Sequence, residues 1–381
     1  MILKKENQKI MWLYGIGNFH NIPNIIQCLI TFSDLGMKPF ILDRSFSKVS
    51  QSNHKYKYSH IAIGKRPYRL RTIEFYLKMF YFGIKIKPSI IIASLPASGW
   101  IAFIVSRVLA IPFIYYPFEI YGEEYERLKK KRYPRFGVIA EKVLLRFCVD
   151  AFITQNKHRA QYYKAKRWLR LPPTIIQNFK PKNNVIGNGL IRDTLGLKSK
   201  DRIVLYEGDI LQHGRNIVEM IKAVKWFPPN TVLVIMGKVE KYAKENILPL
   251  IEKSPYRGKV FIMKWVPHDN LLPVIADANV GLMSYENYGA NNYYCAPGKI
   301  SDYVNCGIPF VCPKFPPLKS ILTEYNIGCY FEDTSPKSIA KGVNEVLSRS
   351  SLELEKSLKS AKKDLVWEAQ EPKLKSLIMS L

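Results

Sequence analysis

Ala296-Pro297-Gly298-Lys299-Ile300-Ser301-Asp302-Tyr303-Val304-Asn305-Cys306-Gly307-Ile308-Pro309 is the stretch whose reading decides the fold. Pro297 and Gly298 begin a short helix, and Gly307 ends it ahead of an apolar strand, Ile308 to Cys312. Lys299 and Asp302 stand three apart, so both leave one face of the helix near its positive end. The unsatisfied N–H groups of a helix start receive phosphate, and a lysine adds a second cationic contact. A carboxylate one turn along suits the paired hydroxyls of a ribose. The bland alternative is a surface helix that carries one Lys and one Asp.

Working outward, the second half alternates apolar strands with helices. Strands are expected at Arg202 to Tyr206, Thr231 to Met236, Lys259 to Met263 and Asn279 to Met283. Helices are expected at Arg215 to Phe227 and at Asp269 to Ala276, the latter with Asp269 as N-cap. The first half repeats the scheme. A strand at Ile10 to Tyr14 runs into the loop that holds Gly15, Gly17 and His20, then a helix from Ile22 to Leu35 and a strand from Pro39 to Leu42. Strand, glycine loop and helix in that order look like the opening unit of a Rossmann-type domain, although the glycines alone are a weak signal: they either shape a tight turn or let the backbone approach acceptor or donor.

Pro88 to Ser106 is an uncharged run of 19 residues, a length that suggests a membrane span. Ser94, Pro96, Ser98 and Gly99 break it into a strand at Ser89 to Ala93 and a buried helix, with another strand at Pro112 to Tyr116. Apolar strands joined by helical crossovers are those of a parallel sheet covered on both faces. A helix from Phe136 to Phe147 and a strand at Ala151 to Thr154 continue the pattern, and the Pro-, Asn- and Lys-rich stretch Pro172 to Asn184 marks a domain boundary. The expected division is 1–183, 184–355, and a terminal helix in 356–381 that returns to the first domain.

The formal net charge of +27 is uneven: residues 1–180 carry +21 and residues 181–381 carry +6. Two basic segments are also aromatic, Lys65 to Lys87 and Lys157 to Arg170. Cations beside bulky rings suit an anionic lipid surface, and also suit single-stranded nucleic acid, which is the less favoured partner here. A third possibility is a solvated basic face with its rings turned into the core. The six cysteines form no CxxC pair and have no histidine at metal spacing, which indicates reduced thiols and no structural zinc. The first residues do not resemble a secretory signal, and a cytoplasmic protein peripheral to the inner face of the membrane is expected.

Two Rossmann-like domains with a phosphate-receiving helix in the second resemble the GT-B glycosyltransferases, and among them family 4. The segment Pro297-x-Lys299-x-x-Asp302-Tyr303-x-x-x-Gly307-x-Pro309 is similar to that family's Pro-Asn-Lys-Leu-Phe-Glu-Tyr-Met-Ala-Cys-Gly-x-Pro. Leu205-Tyr206-Glu207-Gly208 with Gly214-Arg215-Asn216 resembles the loop that brings a glycine and an arginine to the donor diphosphate. Trp265-Val266-Pro267 resembles the segment whose backbone meets the base, and Tyr116-Pro117-Phe118-Glu119-Ile120-Tyr121 an interdomain loop that usually reads Asp-Ser-His-Glu-Leu-Tyr. Trp367-Glu368-x-Gln370 resembles the start of the closing helix. Three positions depart: the family's motif glutamate is Asp302, the glutamate upstream of it is Tyr294 with Glu286 nearby, and the loop histidine is Phe118, which leaves Glu119 as the polar candidate.

The resemblance implies two doubly wound α/β domains facing across a cleft, and retaining transfer of a sugar from a nucleoside-diphosphate sugar, UDP- or GDP-linked. With the basic first half, the acceptor is expected to be a lipid-linked glycan of cell-surface polysaccharide synthesis. Glu119, Lys299 and Arg215 are the expected catalytic residues. Gly208, Gly237, Lys238, Val266, Pro267, Glu286, Tyr294, Ala296, Pro297, Gly298 and Asp302 are expected to join Arg215 and Lys299 around the donor. Gly15, Gly17 and His20 form the first domain's loop at the cleft. Neither a metal nor a further cofactor is implied. Arg215 also has a plain surface alternative, an i,i+4 pair with Glu219, and His213 and His268 are expected as solvated loop residues. Competing classes are a nucleotide-sugar epimerase of the same fold and a non-enzymatic protein that binds membrane or nucleic acid.

Overall fold

The computed structural model describes residues 7–15, 19, 22–43, 58–61, 68–121, 134–267, 270–287 and 289–381. Gly17, His20, Glu123, Glu124, the basic run Lys129 to Arg132, His268 and Asp269 lie outside those residues. The chain forms two compact units: Met1–Lys180 with Gly289–Asn291 and Trp367–Leu381, and Pro181–Tyr288 with Asn292–Val366.

In the first unit, short apolar runs and two short edge segments form a parallel sheet of seven strands: β1 (Lys9–Leu13), β2 (Lys38–Leu42), β3 (Ser59–Ile61), β4 (Ile90–Ala93), β5 (Phe113–Tyr115), β6 (Ala151–Thr154) and β7 (Thr174–Ile175), in the order β3-β2-β1-β4-β5-β6-β7. Every residue of β4, β5 and β6 is buried, as strands covered on both faces must be. The crossovers are α1 (Pro23–Asp34), α2 (Tyr68–Ile86), α3 (Pro96–Leu109) and α4 (Pro134–Val143), the last running on through a π-helical turn to Cys148. The uncharged run from Pro88 is thus strand and helix, split at Ser94 and Leu95. Among the described residues no helix is long and apolar enough to cross a membrane.

The C-terminal residues belong to this unit. Trp367 donates its main-chain N–H to Lys180 at 2.9 Å, and Gln370 Oε1 accepts from the Gln177 N–H at 3.2 Å. Trp367, Leu374 and Ile378 enter the same core as Trp12, Phe32 and Ile41. The boundaries therefore differ from expectation. The first linker falls at 180/181, and residues 356–366 stay with the second unit because Leu358 and Ala361 of the helix Ser351–Ala361 are buried there. Within Pro172 to Asn184 the chain also adds β7 to the first sheet.

The second unit holds β8 (Arg202–Glu207), β9 (Thr231–Gly237), β10 (Val260–Lys264), β11 (Val280–Leu282), β12 (Phe310–Pro313) and β13 (Gly328–Phe331), all parallel, in the order β10-β9-β8-β11-β12-β13. Chain order runs outward from β8 to β10, then jumps back to β11 on the other side. This is a topological switch point, where ligands of such sheets bind beyond the carboxyl ends of the strands. The expected Arg215 to Phe227 helix is shorter, Ile217–Ala223, with a 3-10 turn after it. Asn270, with no side-chain cap bond, precedes the helix Leu271–Ile275.

Replacing Trp367 by Ala should destabilise the first unit by about 3–5 kcal/mol, the usual cost of emptying a buried indole site. Urea unfolding monitored in the full chain would read it as a lowered midpoint of one transition.

Candidate active site

The helix expected from the opening stretch is Lys299–Cys306, with Gly298 at its N-cap and Gly307 closing it in the left-handed region at φ 69°. Its seat is a close contact. Gly281 of β11 leaves room for the ring of Tyr303, where a Cβ would come within 2.6 Å, and that ring stacks on Phe310 at 5.8 Å. The helix is thereby held with its N-terminus at the end of β8. Among the described residues, the main-chain N–H groups of Gly298 and Lys299 donate to no carbonyl.

The Lys299 ammonium reaches the end of β8. It donates to the Glu207 main-chain carbonyl and lies over the Tyr206 ring, 5.0 Å from its centroid. Gly208 sits directly beneath it at φ 138°: a Cβ there would lie 2.9 Å from Nζ. Gly237, at the end of β9, passes so close to the Gly208 carbonyl that a Cβ would overlap it. Burial pushes the Lys299 pKa below the usual lysine value; Glu207 opposes that shift, Arg215 adds to it, and Asp302 and Asp209 oppose it.

Arg215 is fixed by its neighbours in sequence. Gly214 O accepts from the Glu286 N–H at 3.3 Å, and Asn216 Nδ2 donates to Ser284 Oγ at 2.9 Å. These two bonds tie the loop after β8 to the loop after β11 and leave the Arg215 guanidinium stacked on Tyr285, 4.9 Å from the ring centroid. No ion pair joins Arg215 to Glu219 among the described residues, so the i,i+4 surface alternative is not what forms.

Arg215 and Asp302 thus both lie close enough to Lys299 to act on its ammonium. Two expectations change. The Gly208 N–H is not free for a phosphate, because it continues the β8–β9 ladder by donating to Met236 O at 2.9 Å. Asp302 is only 2% exposed, so its carboxylate bears on the Lys299 ammonium instead of lining an open face with it. Of the other expected donor residues, Ala296, Pro297 and Gly298 lead directly into the helix, and Tyr294 is half-buried against Tyr293, with ring centroids 5.1 Å apart. The Glu286 backbone is held by Gly214 and by Asn292, whose Nδ2 donates to the Glu286 carbonyl at 2.9 Å. Lys238 and Pro267 are exposed and Val266 is half-buried, beyond the ends of β9 and β10. His213 is exposed, as expected.

Sequence reasoning quoted Tyr206, Glu207 and Asn216 within the loop that resembles the donor-diphosphate segment, but gave none of them, nor Tyr285 and Ser284, a role of its own. Tyrosines at strand ends look like core in a sequence; only the fold shows that each offers a ring face to a cation. Such contacts are worth about 0.5–2 kcal/mol apiece. A separate cavity of about 310 Å³, bordered by Leu322, Cys329, Lys341 and Glu345, shares no residue with this cluster, and burial has pushed the Cys329 thiol up to about 12.

In the first unit, Gly15 follows β1 at φ 78°, packed so that a Cβ would come within 2.7 Å of Leu95 Cδ1. Glu119 is exposed on the loop after β5, and with Asp43 it adds to the effect of burial in raising the Tyr14 pKa. That loop is clamped from beneath. The Arg159 guanidinium, 3% exposed, donates to Phe118 O and Gln155 Oε1, each at 2.7 Å, and to Asn291 Oδ1 at 3.1 Å. Asn291 Oδ1 also accepts from the Ile120 N–H at 3.1 Å. Phe118, where the resembling family has histidine, stacks on Tyr116 at 4.9 Å and on Trp12 at 6.4 Å, which makes it part of the aromatic core. Arg159 and Asn291 are far apart in sequence, and nothing in the sequence links them.

Two parallel doubly wound sheets, with paired cations and a helix start at the switch point of the second, make up the GT-B fold. Residues 189–364 match the model of the family described as glycosyl transferases group 1. Among solved structures, HepE of Anabaena in complex with UDP and glucose is similar over 98% of this chain and 100% of its own, at 12% identity and a TM-score of 0.76. WaaG, a glycosyltransferase involved in lipopolysaccharide biosynthesis, is similar over 97% of this chain and 99% of its own, at 14% identity and a TM-score of 0.68. A UDP-N-acetylglucosamine 2-epimerase described as putative, from Listeria monocytogenes, is similar over 98% and 96%, at 10% identity and a TM-score of 0.64. These identities establish the fold alone. No curated protein sequence matches the chain.

Lys299→Met should raise the thermal midpoint at neutral pH, because the native state bears the cost of burying a charge that the unfolded chain leaves in water. The native pKa is depressed, so wild-type stability rises with pH from that depressed value towards the ordinary lysine value of 10.5. The advantage of the variant should shrink across the same window, as calorimetry over a pH series would record.

Proposed function

We propose that the chain is a retaining glycosyltransferase of the family 4 type, which moves a sugar from a nucleoside-diphosphate sugar to a lipid-linked glycan in cell-surface polysaccharide synthesis. The observation that carries this reading is the pairing of Arg215 and Lys299 beside the N-terminus of the 299–306 helix, at the switch point of the second sheet. HepE in complex with UDP and glucose supports a uridine donor, and WaaG supports a place in surface-glycan synthesis.

The diphosphate is received by the two cations and the open N–H groups of Gly298 and Lys299. Asp302 and Glu207 keep the ammonium charged from beneath. The base lies against the backbone of Val266 and Pro267 near Lys238, and the sugar lies towards Glu286 and Tyr294. As the bond from the anomeric carbon to the diphosphate oxygen breaks, negative charge grows on that oxygen, where the cations already point. Preorganised charge of this kind is commonly the largest catalytic contribution. The acceptor hydroxyl bonds to the anomeric carbon on the face the diphosphate is leaving, its proton passes to the departing diphosphate oxygen, and configuration is retained. Gly15 and Glu119 of the first unit serve the acceptor. With the growing charge met by Lys299, Arg215 and the helix, the reaction is metal-independent. The protein works at the inner face of the cytoplasmic membrane, a placement supported by the +21 charge of residues 1–180.

Removing one such cation costs roughly 3–4 kcal/mol of transition-state stabilisation. Lys299→Ala should therefore lower turnover by about a hundredfold or more with the fold intact. The donor is found by a thermal-shift screen against UDP, GDP, ADP and CMP, in which UDP is expected to raise the midpoint. Product analysis then decides the reaction: free nucleoside diphosphate with a glycosylated acceptor supports transfer, whereas an isomerised sugar nucleotide overturns it in favour of epimerisation.

A further inference from the structure

The first unit carries an unusual outer surface. α2 buries Phe75 and Met79, yet it also turns Ile73, Leu77, Phe80 and Tyr81 to solvent, with Leu77 65% exposed. Those four positions repeat at helical spacing along a second, outward stripe. α3 packs closely beside α2, for a Cβ on Gly83 would lie 2.9 Å from Val105 Cγ2, and α3 turns out Ile104 and Val108. On its other side α3 meets the turn after α4, with a Cβ on Gly99 reaching 2.5 Å from Leu144 Cδ2. There Ile139 and Phe147 face solvent, Phe147 at 69%. Three neighbouring helices thus present large apolar side chains outward, a concentration that marks an interaction site on a water-soluble fold.

The charge around these side chains selects the partner. Residues 68–109 and 134–148 hold nine Lys and Arg against two Glu. One of those acids, Glu74, pairs with Lys78 at 2.9 Å, and the other, Glu141, is buried, where it accepts from the Tyr115 hydroxyl at 3.0 Å. Lys85, Lys87, Lys142 and Arg146 are exposed. Lys85 lies along Tyr81, its ammonium 3.0 Å from the hydroxyl and 5.2 Å from the ring centroid, so an apolar body carries a cationic tip outward. A second copy of the same face would bring like charges together. An anionic bilayer supplies both an apolar layer for the exposed side chains and phosphates for the cations.

We infer that the outer face of α2, α3 and α4 is a docking surface for an anionic lipid bilayer, with Leu77, Phe80, Val108 and Phe147 entering the interface and Lys85, Lys142 and Arg146 meeting the headgroups. The inference assigns a surface to the membrane partner named in the functional reading, and it stands on the first unit's own residues. The second basic segment has no part in it: Tyr163 and Trp168 are buried, so there the rings turn into the core.

The test is co-sedimentation of the full chain with vesicles of pure phosphatidylcholine and with vesicles in which phosphatidylglycerol makes up a third of the lipid. Binding is expected to the anionic vesicles alone. The variant L77D/F147D should bind them at least tenfold more weakly, since both side chains lose their buried area. K85Q/K142Q should lose about fivefold per lysine. All four positions are exposed, and unchanged unfolding midpoints would show that both variants are folded. Wild-type partition in both variants overturns the inference. So does a concentration-dependent dimer that L77D/F147D breaks, in a protein that ignores vesicles. UDP thermal shift run in parallel separates the two readings: vesicle binding without any nucleotide response defeats the transferase reading and leaves the docking surface, and the reverse result defeats the docking surface alone.

Discussion

A lysine ammonium held out of bulk water at the end of a β-strand is the constraint around which the second unit is organised. The Lys299 ammonium rests over the Tyr206 ring and donates to the Glu207 carbonyl. Holding it there demands four backbone arrangements at once. Gly208 must lack a side chain beneath it, and Gly237 must let β9 close on the Gly208 carbonyl. Gly281 must admit the Tyr303 ring, and Gly307 must end the helix so that Ile308 can enter the sheet. None of these contacts contributes much by itself. Together they aim a charge that the native fold is destabilised by keeping buried, and a group kept at such a cost is one whose position is needed.

The topology explains why the two cations meet there. β8 is the central strand at which the chain reverses direction across the sheet, so the loops after β8 and β11 leave side by side. The bonds from Glu286 N to Gly214 O and from Asn216 Nδ2 to Ser284 Oγ join those loops on either side of Arg215. Arg215 is therefore delivered by one loop and held by the ring of Tyr285 from the other. A ligand contact made in this way tolerates wide change in the remaining loop residues, which agrees with shared architecture at identities of 10–14%.

The legibility of the sequence follows the same physics. Strands covered on both faces are unbroken apolar runs, so β4 and β6 were readable within a residue of their observed ends. β3 and β7 escaped because these edge strands are short and partly solvated: Ser59-His60-Ile61 and Thr174-Ile175 hold no apolar run at all. α2 was hidden for the opposite reason, being apolar on two faces, so that no single stripe announces a helix. At the site, Lys299 was legible from its place behind Pro297 and Gly298, and Arg215 only from the family resemblance. The free N–H assigned to Gly208 was not there, because the β-ladder extends two residues beyond Tyr206, where sequence suggests the strand ends. Asp302 was read as outward-facing for want of any signal that its helix would lie flat enough on the sheet to bury it.

The two units use charge in different ways, and the difference bears on selectivity. In the second unit the Lys299 ammonium is answered by nearby acids, Glu207, Asp302 and Asp209, so the local field is strong only at short range. A polyanion passing at a distance meets little net attraction there, whereas a diphosphate that reaches the ammonium, the guanidinium and the helix N–H groups gains all three contacts together. In residues 1–180 the excess of positive charge is +21, and a long-range excess of that kind favours extended anionic surfaces over any one small anion. The two halves of the chain therefore differ in the reach of their fields: the +21 charge of residues 1–180 acts at a distance, and the cluster at β8 acts only on what comes close to it.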